Sequence, residues 1–580
     1  MKIRALALDY DGTIAQDGML NPQVRAAIAE VRRACGLTIV LVTGRVLSDL
    51  EQAAGDLGFV DAVIAENGGV LSFPNGYSRL IGQPAAAELL EEFQRRGIEF
   101  TIGQCVLEAD AKSAPQILSV IRELQLPLVL MFNRGRLMVL PQGVSKSIGL
   151  RRALTILHLS PHNVIAIGDA ENDHDLLAAC EFGVAVGWGS PALCKVADRV
   201  LHGDGPNAVA GFIREVAGEA KIPPGRMHKY QVAMGTTEDG RVVALGVSGR
   251  NLLIAGNPRS GKSWITGLIC EKLILQGYSL CVIDPEGDYR TLESLPGVVV
   301  FGGEDPPPQL PDIARALRHP DMSAVVDLSH VPHKEKIDYL HSLLPMVAAI
   351  RRSTGLPHRI VIDEAHYFLH EPNAGQLLDL ALNAYTLVTC RPSDLNARLR
   401  AAIDATIVKR TTDPREVQTL VSMAGNQSLE AEWKVALKAL GPNEAALLPG
   451  PEESGGKLER FELFPRLTSH VRHKAKYFDL DLIEPLGFVF TDHGRTLGPP
   501  VRTLKEFVTA LKTSPIAALE GHVHRGDFSR WIGDVFHDPT LAADIRKVEL
   551  RYHLGHIRDL CGSIGAAIED RYELAPDKLA

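Results

Sequence analysis

The chain has no paired cysteines, no long apolar run and no excess of positive charge. Its eight cysteines (35, 105, 180, 194, 270, 281, 390 and 561) are scattered, without a CxxC pair or a His/Cys cluster at zinc-module spacing. That excludes a disulfide framework and a zinc module of standard spacing, and the cysteines read as reduced thiols. Nowhere do about 18 apolar residues follow one another, so no helix is expected to span a membrane. Lys2 and Arg4 precede an apolar run that Asp9 breaks within a few residues, so no secretory signal is expected and a cytoplasmic location is the simplest reading. Lys and Arg number 61 against 70 Asp and Glu, a net charge of −9. This gives no chain-wide nucleic-acid footprint, although it leaves room for a local basic channel. Internal repeats and low-complexity tracts are absent too.

What remains is ordinary folded protein, 46% apolar and 23% charged over 580 residues. Since single cores seldom grow past about 250 to 300 residues, two or three domains are expected. Through residues 1 to 217, short apolar runs such as "RALALDYD" and "TIVLVTGR" alternate with helical patterns such as "NPQVRAAIAEVRRAC". Strand, helix and strand in succession predict a parallel α/β sheet. The texture changes between about 82 and 145, where two helices and two strands suggest an inserted α+β cap, and then returns in "NVIAIGDAENDHDLLAAC". A polar Gly/Pro stretch at 218–229 reads as a linker to a second α/β domain over 230–478, and a small α+β domain is expected over 487–580.

The first apolar run ends on Asp9 and Asp11 of "LDYDG". An Asp-Gly turn would account for the pair, and so would two carboxylates presented at a strand's carboxyl edge, where open α/β sheets place ligands. The later segments supply companions: Thr43 after the strand "IVLV", Lys146 in "GVSKS" at a helix start, and Asp169 and Asp173 in "GDAEND". In this order they resemble the haloacid dehalogenase superfamily of phosphatases, in the branch with a large cap, over about 1–215. The resemblance implies a Rossmann-like core, with Asp9 as nucleophile forming an aspartyl phosphate and Asp11 as general acid and base. It implies Thr43 and Lys146 as holders of the phosphoryl oxygens. Mg²⁺ would be held by Asp9, the Asp11 carbonyl and Asp169, with Asp173 supporting that set.

A second constellation begins at "GNPRSGKS", that is Gly256, Asn257, Pro258, Arg259, Ser260, Gly261, Lys262 and Ser263, after the strand "NLLIA" and before a helix. This is the GxxxxGK[ST] loop in its required context. Backbone amides would cradle the phosphates of ATP, Lys262 would reach the β/γ-phosphates and Ser263 would ligate Mg²⁺. "RIVIDEAH" supplies Asp363 for the metal and Glu364 to polarise water. "VIDPEGDY" and "TCRPSDL" resemble the HerA and FtsK class of ring-forming DNA-translocating ATPases over about 228–475, a RecA-like P-loop fold. That resemblance implies a homo-oligomer, a hexamer in the family, and DNA as partner, and it makes Cys390 a departure from the Gln that family uses as a γ-phosphate sensor. Arg410 is the candidate for an arginine donated to a neighbouring subunit, with Arg391 and Arg415 as alternatives.

The final segment, with "EGHVHRGDFSRWIGDVF", resembles a small bacterial accessory domain of unknown function. His522, His524 and Asp527 fit no standard metal spacing, and a structural cluster around Phe528 and Trp531 is expected instead. The chain as a whole reads as a Mg²⁺-dependent phosphohydrolase acting on a phosphorylated substrate, joined to an ATPase. Two other readings fit the same motifs. One is an end-processing kinase–phosphatase for nucleic acids, against which Glu364 and "DPEGDY" argue. The other is a metabolite phosphatase, of sugar-phosphate type, regulated by a nucleotide-sensing P-loop domain.

Overall fold

The computed structural model describes all residues except 1, 134, 220–229, 304, 307, 371–376, 426–429, 449–457, 469–485, 493, 537–538 and 573–580. The expected linker at 218–229 and the boundary near 478–487 therefore lie almost wholly outside the described residues. The chain divides into two compact units, Met1–Pro285 with Leu292–Leu467, and Glu286–Thr291 with Thr468–Ala580.

In the first unit, the strand Ala5–Asp9 is buried along its whole length, as a continuous apolar run covered on both faces of a parallel sheet should be. It pairs in parallel with Thr38–Val42 on one side and Val164–Gly168 on the other. These strands are the centre of an eight-stranded sheet that runs from Arg199–Leu201 to Ser78–Leu80. The helix Pro22–Cys35 shows how local sequence sets an element. Asn21 caps it, Pro22 opens it, Gly36 ends it in the left-handed region, and Val24, Ala27, Ile28 and Val31 form its buried stripe. Between Ala62–Ala65 and the helix Lys146–Ile156 comes the cap, an antiparallel four-stranded sheet in the order Leu128–Asn133, Arg136–Pro141, Leu107–Asp110, Phe100–Ile102. Two helices, Ala87–Arg95 and Ala114–Glu123, cover it through Leu89, Phe93, Ile117, Val120 and Ile121.

The second sheet of this unit has eleven strands among the described residues. Seven parallel strands, from Ala405–Val408 through Leu252–Ala255 and Arg359–Ile362 to Val298–Gly302, form its α/β body. An antiparallel wing of Glu444–Leu448, Glu459–Leu463, Gln231–Thr236 and Val242–Gly246 extends one edge. No helix among the described residues is long and apolar enough to cross a membrane.

A buried polar seam joins the two sheets. His162 Nδ1 lies 2.7 Å from Glu181 Oε2, and its Nε2 lies 2.9 Å from the carbonyl of Gln276. Tyr278 donates its hydroxyl to the same carboxylate at 2.8 Å and stacks on the imidazole, centroids 3.7 Å apart. Ser248 donates to Glu181 as well. Removing one member of such a cluster leaves the others buried and unpaired, a loss of about 3–5 kcal/mol. Glu181→Ala is therefore expected to lower the unfolding free energy of the first unit, read by urea titration, by that amount, and Glu181→Gln, which keeps an acceptor, by much less. Equal midpoints for Glu181→Ala and the parent would show that the seam does not hold the sheets together.

The second unit carries a two-stranded ribbon, Thr491–Asp492 with Arg495–Thr496, followed by helices from Leu504–Thr513 to Leu560–Tyr572. Its core gathers Phe488, Phe490, Phe507, Phe528 and Trp531. His522 accepts from the Thr491 amide at 2.9 Å and pairs with Asp527 at 2.8 Å, while His524 is exposed beside His553. The histidines thus split between a buried structural pair and the surface.

Candidate active sites

The first site forms at the carboxyl ends of the central parallel strands. Asp9 ends its strand, and Asp169 and Asp173 follow the strand Val164–Gly168, so three carboxylates each offer an oxygen within 4.8 Å of the others. Lys146, at the start of its helix and fully buried, donates to Asp9 Oδ1 and Asp173 Oδ1, both at 2.6 Å. The remaining Asp173 oxygen accepts from the amides of Asp169 and Ala170 at 3.0 Å, and Thr13 donates to Asp9 Oδ2 at 3.1 Å. Burial, then the charge of Asp173, push Asp9 well above the ordinary carboxylate range. The Lys146 ammonium opposes this without reversing it, and Asp169 adds to it. Burial works against the Lys146 charge as well, but Asp173 and Asp9 outweigh it and raise its proton affinity.

Three carboxylates around one ammonium make a cluster short of positive charge, and its hard oxygen donors suit a divalent ion such as Mg²⁺. The residues present therefore fit the metal that the sequence implied. Thr43 is buried just past the neighbouring strand Thr38–Val42, with its hydroxyl accepting from the Arg45 amide at 3.1 Å. Asp11 stands apart from the cluster, gripped by Arg45 through two bonds of 2.6 Å.

Several residues that hold this site together escaped the sequence reading. Arg45 orients Asp11. Glu66, in a left-handed conformation after the strand Ala62–Ala65, accepts from the cap-loop amides of Gln104, Cys105 and Val106 at 2.9, 2.8 and 3.2 Å. It pins the cap to the core. Gly68 is required next to it, because a Cβ there would lie 1.9 Å from the Ser145 carbonyl that precedes Lys146. The run "ENGG" at 66–69 is the local sequence of this junction, and spacing alone does not say what the glutamate holds. Hydrogen bonds to a charged acceptor are worth about 1.5–3 kcal/mol. Glu66→Gln is accordingly expected to lower kcat/KM for phosphate release about tenfold or more, read by steady-state kinetics on a folded variant.

The second site lies on the other sheet. The loop from Gly256 to Ser263 joins the strand Leu252–Ala255 to the helix Lys262–Leu275. A Cβ at Gly256 would lie 2.7 Å from Lys409 Cβ and 2.6 Å from Ser260 Oγ, so only glycine fits. Lys409, wholly buried, donates to the carbonyls of Pro442 and Glu444 and backs the loop; burial brings its proton affinity down to about 8. Lys262 Nζ rests on the Asn257 carbonyl at 3.1 Å, and Ser260 Oγ is buried with no hydrogen-bond partner among the described residues. A cradle with an unsatisfied hydroxyl and an ammonium resting on its own loop fits a phosphate chain.

Asp363 is buried just after the strand Arg359–Ile362, where its Oδ1 accepts from the Glu364 amide at 2.8 Å, and Glu364 has φ +45°. The carbonyl of Arg410 accepts from Asn257, so Arg410 flanks its own chain's loop while its side chain is exposed. Arg391 and Arg415 both lie near Asp394 instead.

The first sheet and its carboxylate cluster define a capped α/β hydrolase core, and the second a separate α/β core with a glycine-rich strand-to-helix loop. The sequence pattern of the haloacid dehalogenase-like hydrolases matches residues 6–106 and 91–213, and that of the helicase HerA central domain matches residues 247–345. A phosphoglycolate phosphatase of Methanothermobacter thermautotrophicus is 30% identical over 229 residues, 37% of this chain and 100% of that protein. One from Methanosarcina mazei is 26% identical over 226 residues, 37% of this chain and 97% of its own. The crystal structure of Thermoplasma acidophilum 0175 is 16% identical, with a TM-score of 0.33, and covers 37% of this chain and 98% of that one. The chain belongs to the haloacid dehalogenase-like hydrolases through its first part, and fuses that hydrolase to a HerA-like domain.

Proposed function

We propose that the first site hydrolyses a phosphate monoester in two steps through Asp9. The observation that carries this reading is the buried Asp9–Lys146–Asp173 triplet at 2.6 Å contacts, with Asp169 beside it. A carboxylate oxygen of Asp9 attacks phosphorus and the ester oxygen leaves, taking a proton from Asp11. Water then attacks the phosphoryl-Asp9 group while Asp11 takes the proton back, releasing phosphate and restoring Asp9. Lys146 and Thr43 hold phosphoryl oxygens, and Asp11 leaves its fork with Arg45 to reach the ester oxygen. Mg²⁺ bound among Asp9, Asp169 and Asp173 and the Asp11 carbonyl would supply positive charge to the transferring group. The cap, pinned by Glu66, keeps bulk water from the phosphoryl group.

The names of the relatives, phosphoglycolate phosphatases, favour a small anionic phosphate ester as substrate. The second site binds ATP on the Gly256–Ser263 loop and hydrolyses it, with Glu364 polarising the attacking water, Asp363 and Ser263 supporting the metal, and Arg410 serving a neighbouring copy of the chain. DNA is the partner that the HerA-like part favours. Phosphate release is to be measured across phosphoglycolate, sugar phosphates and 5′- and 3′-phosphorylated oligonucleotides. Turnover of phosphoglycolate and its congeners supports the metabolite reading; turnover confined to oligonucleotides replaces it with end processing.

A further inference from the structure

Beside the nucleotide loop lies a cluster that the two-step hydrolysis does not use. Glu364, His366 and Cys390 each offer a donor atom, a carboxylate oxygen, an imidazole nitrogen and a thiol sulfur, and these three atoms lie within 4.8 Å of one another. His366 Nε2 is 3.7 Å from Cys390 Sγ. His366 Nδ1 faces Thr389 Oγ1 at 3.1 Å and the Glu364 carboxylate at 3.5 Å. The Thr389 oxygen can take the proton of Nδ1, which leaves Nε2 as the lone-pair nitrogen turned to the sulfur and frees the carboxylate. Bond lengths of about 2.3 Å to sulfur and 2.0 Å to nitrogen put tetrahedral zinc donors about 3.6 Å apart. The Cys390–His366 spacing is already close to that, whereas the Glu364 carboxylate, 3.5 Å from Nδ1, must rotate past the ring edge to join the ion.

The surroundings agree. Glu364 and His366 are nearly buried while Cys390 is half-buried, so an ion can enter from the sulfur side. A soft thiol, an imidazole and one carboxylate select a thiophilic ion over Mg²⁺, which demands oxygen donors. The Asp9 cluster, all oxygen, selects the opposite way, so one chain holds two sites of different hardness.

We propose that Glu364, His366 and Cys390 form a site for a thiophilic divalent cation, Zn²⁺ being the best match, and that its occupation switches the ATPase site off. On binding, the Cys390 thiol loses its proton to solvent and the sulfur, the Nε2 lone pair and a Glu364 oxygen coordinate the ion without redox change. The fourth tetrahedral position is left for water or a phosphate oxygen. Glu364 is thereby withdrawn from polarising the attacking water. This regulatory step rests on the ATPase role proposed for Glu364, whereas the metal site itself does not.

Titration of the full chain with Co²⁺ tests the site directly, because a thiolate ligand gives a sulfur-to-cobalt charge-transfer band and a tetrahedral ion gives intense visible bands. One Co²⁺ per chain with both features is expected, displaced by Zn²⁺. Cys390→Ser should lose the charge-transfer band, and both it and His366→Gln should weaken Zn²⁺ about 100-fold or more in competition with a chromophoric chelator. ATP turnover of the parent should fall about tenfold or more with stoichiometric Zn²⁺ and return on chelation, a ratio that Cys390→Ser should lose whatever its basal rate. Identical Co²⁺ spectra and Zn²⁺ affinities for parent and both variants would overturn the site. A Cys390-dependent Co²⁺ band in a chain that never turns over ATP would keep the site and overturn the ATPase reading, and with it the switch. Turnover indifferent to bound Zn²⁺ would overturn the switch alone.

Discussion

Asp9→Asn should reduce phosphate release about 10⁴-fold or more, the scale on which removal of a catalytic nucleophile acts, while leaving the fold at least as stable. The amide is isosteric but cannot attack phosphorus or hold a phosphoryl group as an acyl phosphate. Geometry gives no reason for collapse, because the amide can keep its oxygen on Lys146 and donate its NH2 to the Thr13 hydroxyl, and Lys146 keeps its 2.6 Å contact with Asp173. Electrostatics argues for a neutral or favourable effect on stability. Burial and the Asp173 and Asp169 charges already disfavour the charged form of Asp9, so a neutral side chain relieves like-charge crowding. Two measurements on one variant then separate role from scaffold: steady-state phosphate release and the urea midpoint. Activity equal to the parent's would sink the nucleophile assignment; lost activity with a much lower midpoint would make Asp9 chiefly structural.

What the sequence disclosed of this site follows from sheet geometry. In a parallel sheet the carboxyl ends of adjacent strands meet at one edge, so acids and a threonine that close successive apolar runs must come together. Asp9, Thr43 and Asp169 are of that kind, and the helix that begins at Lys146 packs over the same strands. The cap was legible as a change of texture at its two ends. Residues whose partners lie on other elements were not. Glu66 finds its acceptor role 38 to 40 residues away in the cap, and Arg45 meets Asp11 across 34 residues. The His162–Glu181–Tyr278 seam spans both domains, and no local period marks it. The same holds for Lys409, which no motif marks and which is wedged behind the Gly256–Ser263 loop. The antiparallel wing of the second sheet needs register, not propensity, to be seen. Cys390 was noted as a departure from a family pattern; only folding shows that His366 and Glu364 stand next to it.

Lys262→Ala is expected to cut ATP turnover about 10²–10³-fold, the usual cost of removing one preorganised donor to a transferring phosphoryl group, and to leave phosphate release at the Asp9 site unchanged in the absence of ATP. The lysine makes its hydrogen bond within its own loop, to the Asn257 carbonyl, and its truncation disturbs nothing in the first sheet. The variant also isolates communication between the sites. Lys262 opens a helix that runs to Leu275, and the next carbonyl, of Gln276, meets His162 at 2.9 Å. His162 lies two residues before the strand Val164–Gly168, which leads to Asp169. A rigid helix, one part-buried hydrogen bond and one strand thus connect the Gly256–Ser263 loop to the carboxylate edge of the first sheet. Such continuity becomes coupling only if both ligands bias it, and then reciprocally. Any change that ATP produces in the affinity of the Asp9 site for a phosphate ester should vanish in Lys262→Ala and shrink in Glu181→Ala, and the ester should shift ATP affinity in the parent by the same factor. Equal ATP turnover in Lys262→Ala and the parent would remove the loop from the mechanism; an ATP effect that survives in the variant would place the nucleotide responsible at some other site.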